Sequence, residues 1–218
     1  MVTKEYPHHF SRTVLSALLV TAVLVGLLVA QPVQAQATNA VSDEEAAGLL
    51  FMREEEKLAH DVYVTLGETW NLPVFANIAR SEQQHTDAVR TLLARYNLAD
   101  PAAGKAIGVF TDPTLQALYT QLVAQGSTSL ADALYVGATI EDLDIVDLQT
   151  RLAGCNHADI QRVYESLLQG SSNHLRAFTS LFEQQTGEAY VPQYLDQERY
   201  DAIINGSAGH GRRGRGRS

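Results

Sequence analysis

The sequence predicts an all-α fold, a four-helix bundle with a long crossover. Four long segments place apolar residues at intervals of three and four, and no segment alternates apolar and polar residues over a useful length. A short break joins the first two segments, whereas the stretch 98–128, rich in Pro and Gly, separates the second from the third. Two helical hairpins joined by a long crossover are a known bundle topology.

Both ends of the chain are predicted to lie outside the bundle. Residues 1–35 combine a basic start, an apolar run and small residues before a cleavage point, as a secretory signal peptide does. An uncleaved membrane anchor is the alternative, because the apolar run approaches the length that spans a bilayer. Residues 36–41 form a linker, 42–205 the bundle and 206–218 a disordered tail rich in Gly and Arg. Export to the periplasm or the extracellular space is therefore expected.

The charge of the chain is unevenly distributed. The formal net charge is −9, of which residues 1–35 carry +1 and the last twelve residues +4, so about −14 falls on the bundle. An acidic body argues against nucleic acid as a partner and favours metal cations. A single cysteine, Cys155, excludes an intramolecular disulfide. The oligomeric state is left open, with a homodimer as one candidate.

The first long helix is predicted over about 42–70, with Ser42 and Glu45 as a capping box at its start. Its apolar residues allow two registers, of which one buries Glu56 and the other Glu55. Three consecutive glutamates are common on solvated surfaces. Apolar residues on both flanks nevertheless indicate that at least one of them approaches the core.

The second long helix, over about 74–97, carries Glu82 and His85 three residues apart. That spacing places both side chains on one face of the helix, among apolar residues. A buried charge is costly unless a partner neutralises it, and a metal ion does so. Helix bundles that hold two iron or manganese ions use this Glu-x-x-His element.

The third long helix follows a short helix predicted at 113–125 and spans about 129–152. Glu141 lies on its apolar stripe, and Asp144 lies one turn further along. From the pattern alone, the two acids either face the core or stay hydrated at the edge of the stripe.

The fourth long helix is predicted to begin at Asn156 and Asp159, which can cap it, and to end near residue 185. A short helix at about 197–204 follows. His174 lies on the apolar face of the fourth helix. A single histidine in such a position is usually a hydrogen-bonded core residue, so its interpretation as a ligand depends on its partners.

Acids and imidazoles occur about midway along the inward stripes of all four long helices. Four helices rarely bury such groups at one level by accident, because burial without a counter-charge is expensive. A pair of divalent ions offsets this cost. Oxygen-rich sites with one histidine per ion suit iron or manganese, and zinc fits the same ligand types.

Three phrases carry a resemblance to a known family: EEEKLAHDVY in the first helix, PVFANIARSEQQH in the second and GSSNHLRAF in the fourth. Over about 44–201 the chain resembles a prokaryotic family called domain of unknown function 2202, placed in the ferritin-like superfamily. This resemblance implies a ferritin-like bundle whose metal-site pattern is similar to that of rubrerythrin.

The resemblance also implies a ligand set. It selects Glu56 over Glu55, because the first-helix ligand of the superfamily precedes a Tyr by seven positions. The fourth helix of the superfamily carries a Glu three residues before its histidine, whereas this chain has Ser171 there; Asp144 or water would have to compensate. The implied metal ligands are Glu56, Glu82, His85, Glu141, Asp144 and His174.

Three functions are compatible with these residues. The first is a di-iron oxidoreductase that reacts with oxygen or peroxide, with Glu56 or Glu141 bridging the irons and Tyr63 or Tyr164 hydrogen-bonding a ligand carboxylate. The second is a non-enzymatic metal-binding or stress-related module with the same site. The third is a metal-free structural bundle that contains a buried hydrogen-bonded network.

Overall fold

The computed structural model describes residues 40–206. The predicted signal peptide, most of the linker and nearly all of the tail lie outside these residues. The described part contains six α-helices and no strand, which confirms the all-α prediction, and none of its helices is long and apolar enough to cross a membrane. In chain order the helices are α1 Asp43–Trp70, α2 Pro73–Arg95, α3 Pro113–Gly126, α4 Leu130–Gly154, α5 Ala158–Thr186 and α6 Gln197–Asn205.

Two helical hairpins build the bundle. Helix α1 packs along α2, α4 packs along α5, and the hairpins meet through contacts of α1 with α4 and of α2 with α5. The break between α1 and α2 is tight because Asn71 adopts a left-handed conformation with φ 50°, which short polar side chains tolerate. Helix α3, in the crossover, packs on α1 and α4.

One carboxylate joins the starts of α1 and α5. The predicted capping box is confirmed: the Ser42 hydroxyl accepts from the Glu45 N–H at 3.1 Å, and the Glu45 carboxylate accepts from the Ser42 N–H at 3.0 Å. Glu45 also accepts from the N–H groups of Asn156 and His157, at 2.8 and 3.1 Å. The predicted capping of α5 by Asn156 is wrong, because His157 is the N-cap residue and Glu45 occupies this end of the helix.

Apolar residues form two clusters along the bundle. One contains the packed rings of Tyr63, Phe75 and Phe178, and the other contains Met52 and Tyr164. In α1, α2 and α5 the change from one cluster to the other falls within a polar layer of buried acids and histidines. The bundle therefore has a polar section between two apolar ones.

The charged run 53–57 of α1 is buried along its whole length. The crossover loop covers it: Glu54 accepts two backbone N–H bonds from the loop, at 2.5 and 2.9 Å, and Lys57 donates to a loop carbonyl at 2.9 Å. The interpretation of the consecutive glutamates as a solvated surface is therefore wrong, because a segment distant in sequence folds over them.

Candidate metal centre

Six side chains predicted from the sequence lie inside the bundle, and each of the four long helices contributes at least one. None of the six residues is more than 9% exposed. The alternative that the two acids of α4 stay hydrated is therefore wrong. The six are Glu56 from α1, Glu82 and His85 from α2, Glu141 and Asp144 from α4, and His174 from α5.

Glu82 lies between the two histidines. Its Oε2 is 2.9 Å from Nδ1 of His85, and its Oε1 is 2.6 Å from Nδ1 of His174. Each histidine also faces an outer carboxylate: Glu56 at 3.1 Å from His85, and Glu141 at 3.5 Å from His174. The centre thus consists of two three-residue groups that share Glu82. Within each group the ligand atoms lie within 4.8 Å of one another.

The carboxylates hold both histidines in the charged form. Burial alone would lower the pKa of His85, but hydrogen bonds to Glu56 and Glu82 outweigh burial and raise that pKa to about 11. Burial opposes charging of His174 in the same way, and the charge of Glu141 with the contact to Glu82 raises its pKa to about 10. Metal binding at Nδ1 therefore has to displace a proton from each imidazole.

The acids of the centre differ in their electrostatics. Burial would raise the pKa of Glu82, yet its two histidine partners lower that pKa far below the ordinary value. Burial and the negative charge of Asp144 raise the pKa of Glu56, and burial with the charge of Glu141 raises the pKa of Asp144 to about 8. The two positive imidazoles thus balance only part of the negative charge that these four acids can carry.

Two carboxylate oxygens of the centre, Glu56 Oε1 and Asp144 Oδ1, are fully buried without a hydrogen-bond partner. A buried polar atom without a partner costs about 1–3 kcal/mol. Carboxylate oxygens and imidazole nitrogens that converge in this way fit divalent transition metals.

Three residues around the centre hold its side chains in place. The Tyr63 hydroxyl donates to Oε1 of Glu141 at 2.6 Å, which confirms one of the two predicted tyrosine contacts, and the Ser81 hydroxyl lies 3.0 Å from Nε2 of His174. Gly170 lies against His85, because a Cβ atom at position 170 would come within 2.5 Å of Nε2. Second partners of this kind orient ligand histidines and carboxylates.

Asp144 takes a position different from those of the other five residues. The Ser171 hydroxyl donates to its Oδ2 at 2.5 Å, while Oδ1 is without a partner. Asp144 belongs to neither three-residue group. Ser171 thus holds an acid from the neighbouring helix. Compensation by Asp144 stays a prediction.

Sequence reasoning missed Ser81 and Gly170 in this region and kept Glu55 only as the alternative to Glu56. Nothing in the sequence marks Ser81 as part of the site except its position next to Glu82. The sequence marks Gly170 weakly, since an isolated glycine inside a helical pattern often has a packing reason. Glu55 is 4% exposed, and neither of its carboxylate oxygens has a hydrogen-bond partner. The resemblance had favoured Glu56 alone, whereas the structure buries both.

Two surface grooves lie near the centre. A groove of about 490 Å³ between α2 and α5 has His85 among its lining residues, and Arg95 and Arg162 also line it. A second groove, of about 570 Å³ between α1 and α2, is lined by Tyr63, the residue that holds Glu141. The first groove therefore borders a residue of the centre, and the second borders a residue that orients it.

Comparison with known proteins gives one family and one relative with a solved structure. Residues 45–207 match the family described as "Uncharacterized protein domain (DUF2202)". The uncharacterized protein MJ0754 of Methanocaldococcus jannaschii is 51% identical over 171 residues, which cover 78% of this chain and 92% of that protein. The crystal structure of hypothetical protein MJ0754 aligns with a TM-score of 0.74 at 52% identity, covering 76% of this chain and 94% of the other.

Proposed function

This chain belongs to the DUF2202 family, and we propose that it binds two transition-metal ions, iron in the first place, between its four long helices. Iron bound in such a site supplies redox chemistry with oxygen or peroxide. The family description assigns no activity. The proposal therefore rests on the geometry of the side chains and on the ferritin-like resemblance of the sequence.

The position of Glu82 carries the proposal. Its two oxygens face two different histidines, and each histidine faces a further carboxylate. One ion would be held by Glu56, Glu82 and His85 and the other by Glu82, Glu141 and His174. Glu82, rather than Glu56 or Glu141, would then be the carboxylate common to both sites.

The surrounding residues have definite tasks in this proposal. Tyr63 holds one oxygen of Glu141 through its hydroxyl, which leaves the other oxygen for an ion. Ser81 binds Nε2 of His174 and so leaves Nδ1 to face the centre. Asp144, held by Ser171, is a further oxygen ligand or a proton acceptor beside the centre. The apolar clusters above and below exclude bulk water.

Metal analysis and oxygen uptake test this function. Protein purified without an affinity tag is loaded anaerobically with Fe(II), and bound iron is measured by elemental analysis. We expect two irons per chain and oxygen consumption on exposure to air. A Glu82→Gln variant should lose both, whereas Glu165→Gln, on the exposed face of α5, should lose neither. Wild-type protein that binds no iron and consumes no oxygen would overturn the proposal.

Two other functions remain distinguishable by the same measurements. Ser171, which replaces an expected acid, favours a non-enzymatic metal-binding module with one tightly held, redox-silent ion. The charged pairs of His85 and His174 with Glu82 favour a metal-free polar network. One ion without oxygen uptake would indicate the module. A melting temperature that neither metal nor chelator changes would indicate the network.

Export is part of the proposal as well. The basic, apolar and small-residue sections of 1–35 support a cleaved signal. Expression of the full chain in a bacterial host, followed by N-terminal sequencing of the periplasmic fraction, tests it. A new N-terminus near residue 36 is expected. A full-length chain in the membrane fraction would indicate the anchor instead.

A further inference from the structure

A small cavity lies at the end of the bundle where α1 and α5 begin and α4 ends. Its volume is about 80 Å³, and none of its lining residues belongs to the candidate metal centre. A single water molecule needs about 10–15 Å³ of such space. The cavity is therefore large enough for several waters or for one small molecule.

Two of the side chains that line this cavity have a buried hydrogen-bond donor without a partner. The side chain of Tyr164 is almost wholly buried, with the residue 2% exposed, and its hydroxyl forms no hydrogen bond. The Nε atom of Arg151 is also fully buried without a partner. Natural proteins rarely leave buried polar groups unsatisfied, so both donors indicate that something binds in the cavity.

The two side chains approach the same point beside α1. A Cβ atom at position 48 would lie 3.4 Å from the Tyr164 hydroxyl and 3.7 Å from both Cδ and Nη1 of Arg151. Because residue 48 is a glycine, no side chain of α1 enters the space between them. The tyrosine of α5 and the arginine of α4 can therefore contact one small molecule together.

The positive charge of Arg151 is not paired with a carboxylate of residues 40–206. Its guanidinium lies on the ring of Phe51, with Cζ 4.3 Å from the ring centroid. Of the two acids that line the cavity, Glu45 pairs with His157, and Glu44 is exposed to solvent. A guanidinium has donors only, and its geometry suits planar carboxylates. The partner that Arg151 lacks is therefore an acceptor, preferably an anionic one.

We propose that this cavity binds a small carboxylate, or a planar oxyanion of similar size, that accepts hydrogen bonds from the Tyr164 hydroxyl and from Nε of Arg151. Hydrogen bonds between an arginine and an anion are among the stronger ones in proteins. The charge of Glu44 opposes binding, but its exposure to solvent and salt weakens this repulsion. The inference does not rest on the proposed function, because the cavity and the metal centre share no residue.

Crystals of the full chain that are grown without carboxylates and then soaked in sodium acetate test the position of the site. We expect density for a planar group within hydrogen-bond distance of the Tyr164 hydroxyl and of Nε of Arg151. Soaks with nitrate and bicarbonate show whether the site accepts planar oxyanions in general or carboxylates alone. Ordered water in the cavity after every soak would overturn the inference, and this result does not depend on the folding of any variant.

Titration of the full chain with ¹³C-labelled acetate, followed by NMR, tests the donors in solution. Tyr164→Phe removes one donor, and Gly48→Ala adds a methyl group where the two side chains meet, so each should weaken acetate binding several-fold. Glu44→Gln should strengthen binding, because it removes a negative charge. Arg162→Gln, at an exposed position of α5, should leave the affinity unchanged.

Equal acetate affinities of the wild type, Tyr164→Phe and Gly48→Ala would overturn the inference. Both variants should keep the Mn²⁺ stoichiometry of the wild type, because neither residue belongs to the metal centre. Failure of the wild type to bind metal would overturn the proposed function and leave the carboxylate site intact.

Discussion

At the scale of single residues, the candidate centre depends on a glycine that leaves room for a histidine ring. The space around His85 exists because position 170 on the facing helix is glycine. A methyl group there would come within 2.5 Å of Nε2, which is shorter than any ordinary contact. The ring would have to move, and with it the nitrogen that faces Glu56 and Glu82.

Replacement of Gly170 by alanine should therefore weaken metal binding without unfolding α5. Alanine is the better helix former, so the helix itself gains while His85 is displaced. Loss of ligand orientation typically costs about 10–100-fold in metal affinity, and Mn²⁺ titration by calorimetry measures it. Gly48→Ala on α1 is the matched control, because its added Cβ would meet its nearest neighbour, the Tyr164 hydroxyl, at 3.4 Å. Equal affinities of both variants would contradict the positioning role of Gly170.

Two buried tyrosines make it possible to measure the contribution of a hydroxyl group to the free energy of unfolding separately from that of the ring. Tyr63 donates to Glu141, whereas the hydroxyl of Tyr164 has no partner. Tyr63→Phe leaves a buried carboxylate oxygen unsatisfied and should lower the free energy of unfolding by about 1–3 kcal/mol. Tyr164→Phe keeps the same ring packing and removes a buried hydroxyl that has no partner, so it should leave the free energy of unfolding unchanged or raise it. Urea denaturation of both variants provides the comparison, and an equal loss in the two would contradict it.

The sequence predicted the centre better than its surroundings. Helical spacing alone put Glu82 and His85 on one face, and the structure brings them together with Glu56, Glu141 and His174. The spacing of residues within one helix is local and can be derived without a structure. The burial of Glu55 and the contact of Gly170 with His85 depend on how neighbouring segments pack, which no single helix specifies.

At the scale of elements, Glu45 couples the beginnings of α1 and α5. Burial would raise its pKa, but hydrogen bonds from His157, Asn156 and Ser42 outweigh burial and lower that pKa far below the ordinary value of a glutamic acid. A carboxyl whose folded pKa is depressed stabilises the fold fully above its unfolded pKa. That contribution is lost as the pH falls through the lower folded value.

Replacement of Glu45 by glutamine should therefore destabilise the protein at neutral pH and make little difference in strong acid. The difference in melting temperature between wild type and variant should shrink steadily as the pH falls below about 4.5. Thermal melts between neutral pH and about pH 2 measure it, with the exposed Glu44 changed to glutamine as control. A difference that stays constant over this range would show that the charge of Glu45 is not what stabilises the two helix starts.

Helices and their caps were predictable where the residues that determine them lie close together in the sequence. The capping box of α1 and the helix in the crossover followed from short patterns and are confirmed. The capping of α5 was not predicted correctly, because N–H groups at its start bind a glutamate more than a hundred positions away. The path of the crossover loop over the charged run 53–57 could not be predicted either, because the loop and this run are distant in sequence.

At the scale of the whole molecule, we expect the stability of the fold to depend on whether metal ions are bound in the polar layer. A ligand that binds only the folded state stabilises it by an amount that grows with its concentration over its dissociation constant. Addition of Mn²⁺ at about 100 times its dissociation constant should therefore add about 2.7 kcal/mol of stability per site. Calorimetric melts with and without Mn²⁺ measure this gain, and a chelator should reverse it. An unchanged melting temperature would contradict metal binding at the centre.

The sharing of Glu82 by both histidines has a consequence for how the centre fills. Binding of an ion in one group would displace the proton of that imidazole to solvent and would change the charge around a carboxylate that the other group also uses. We therefore expect the two binding steps to be coupled, with a calorimetric binding isotherm that departs from that of two independent sites.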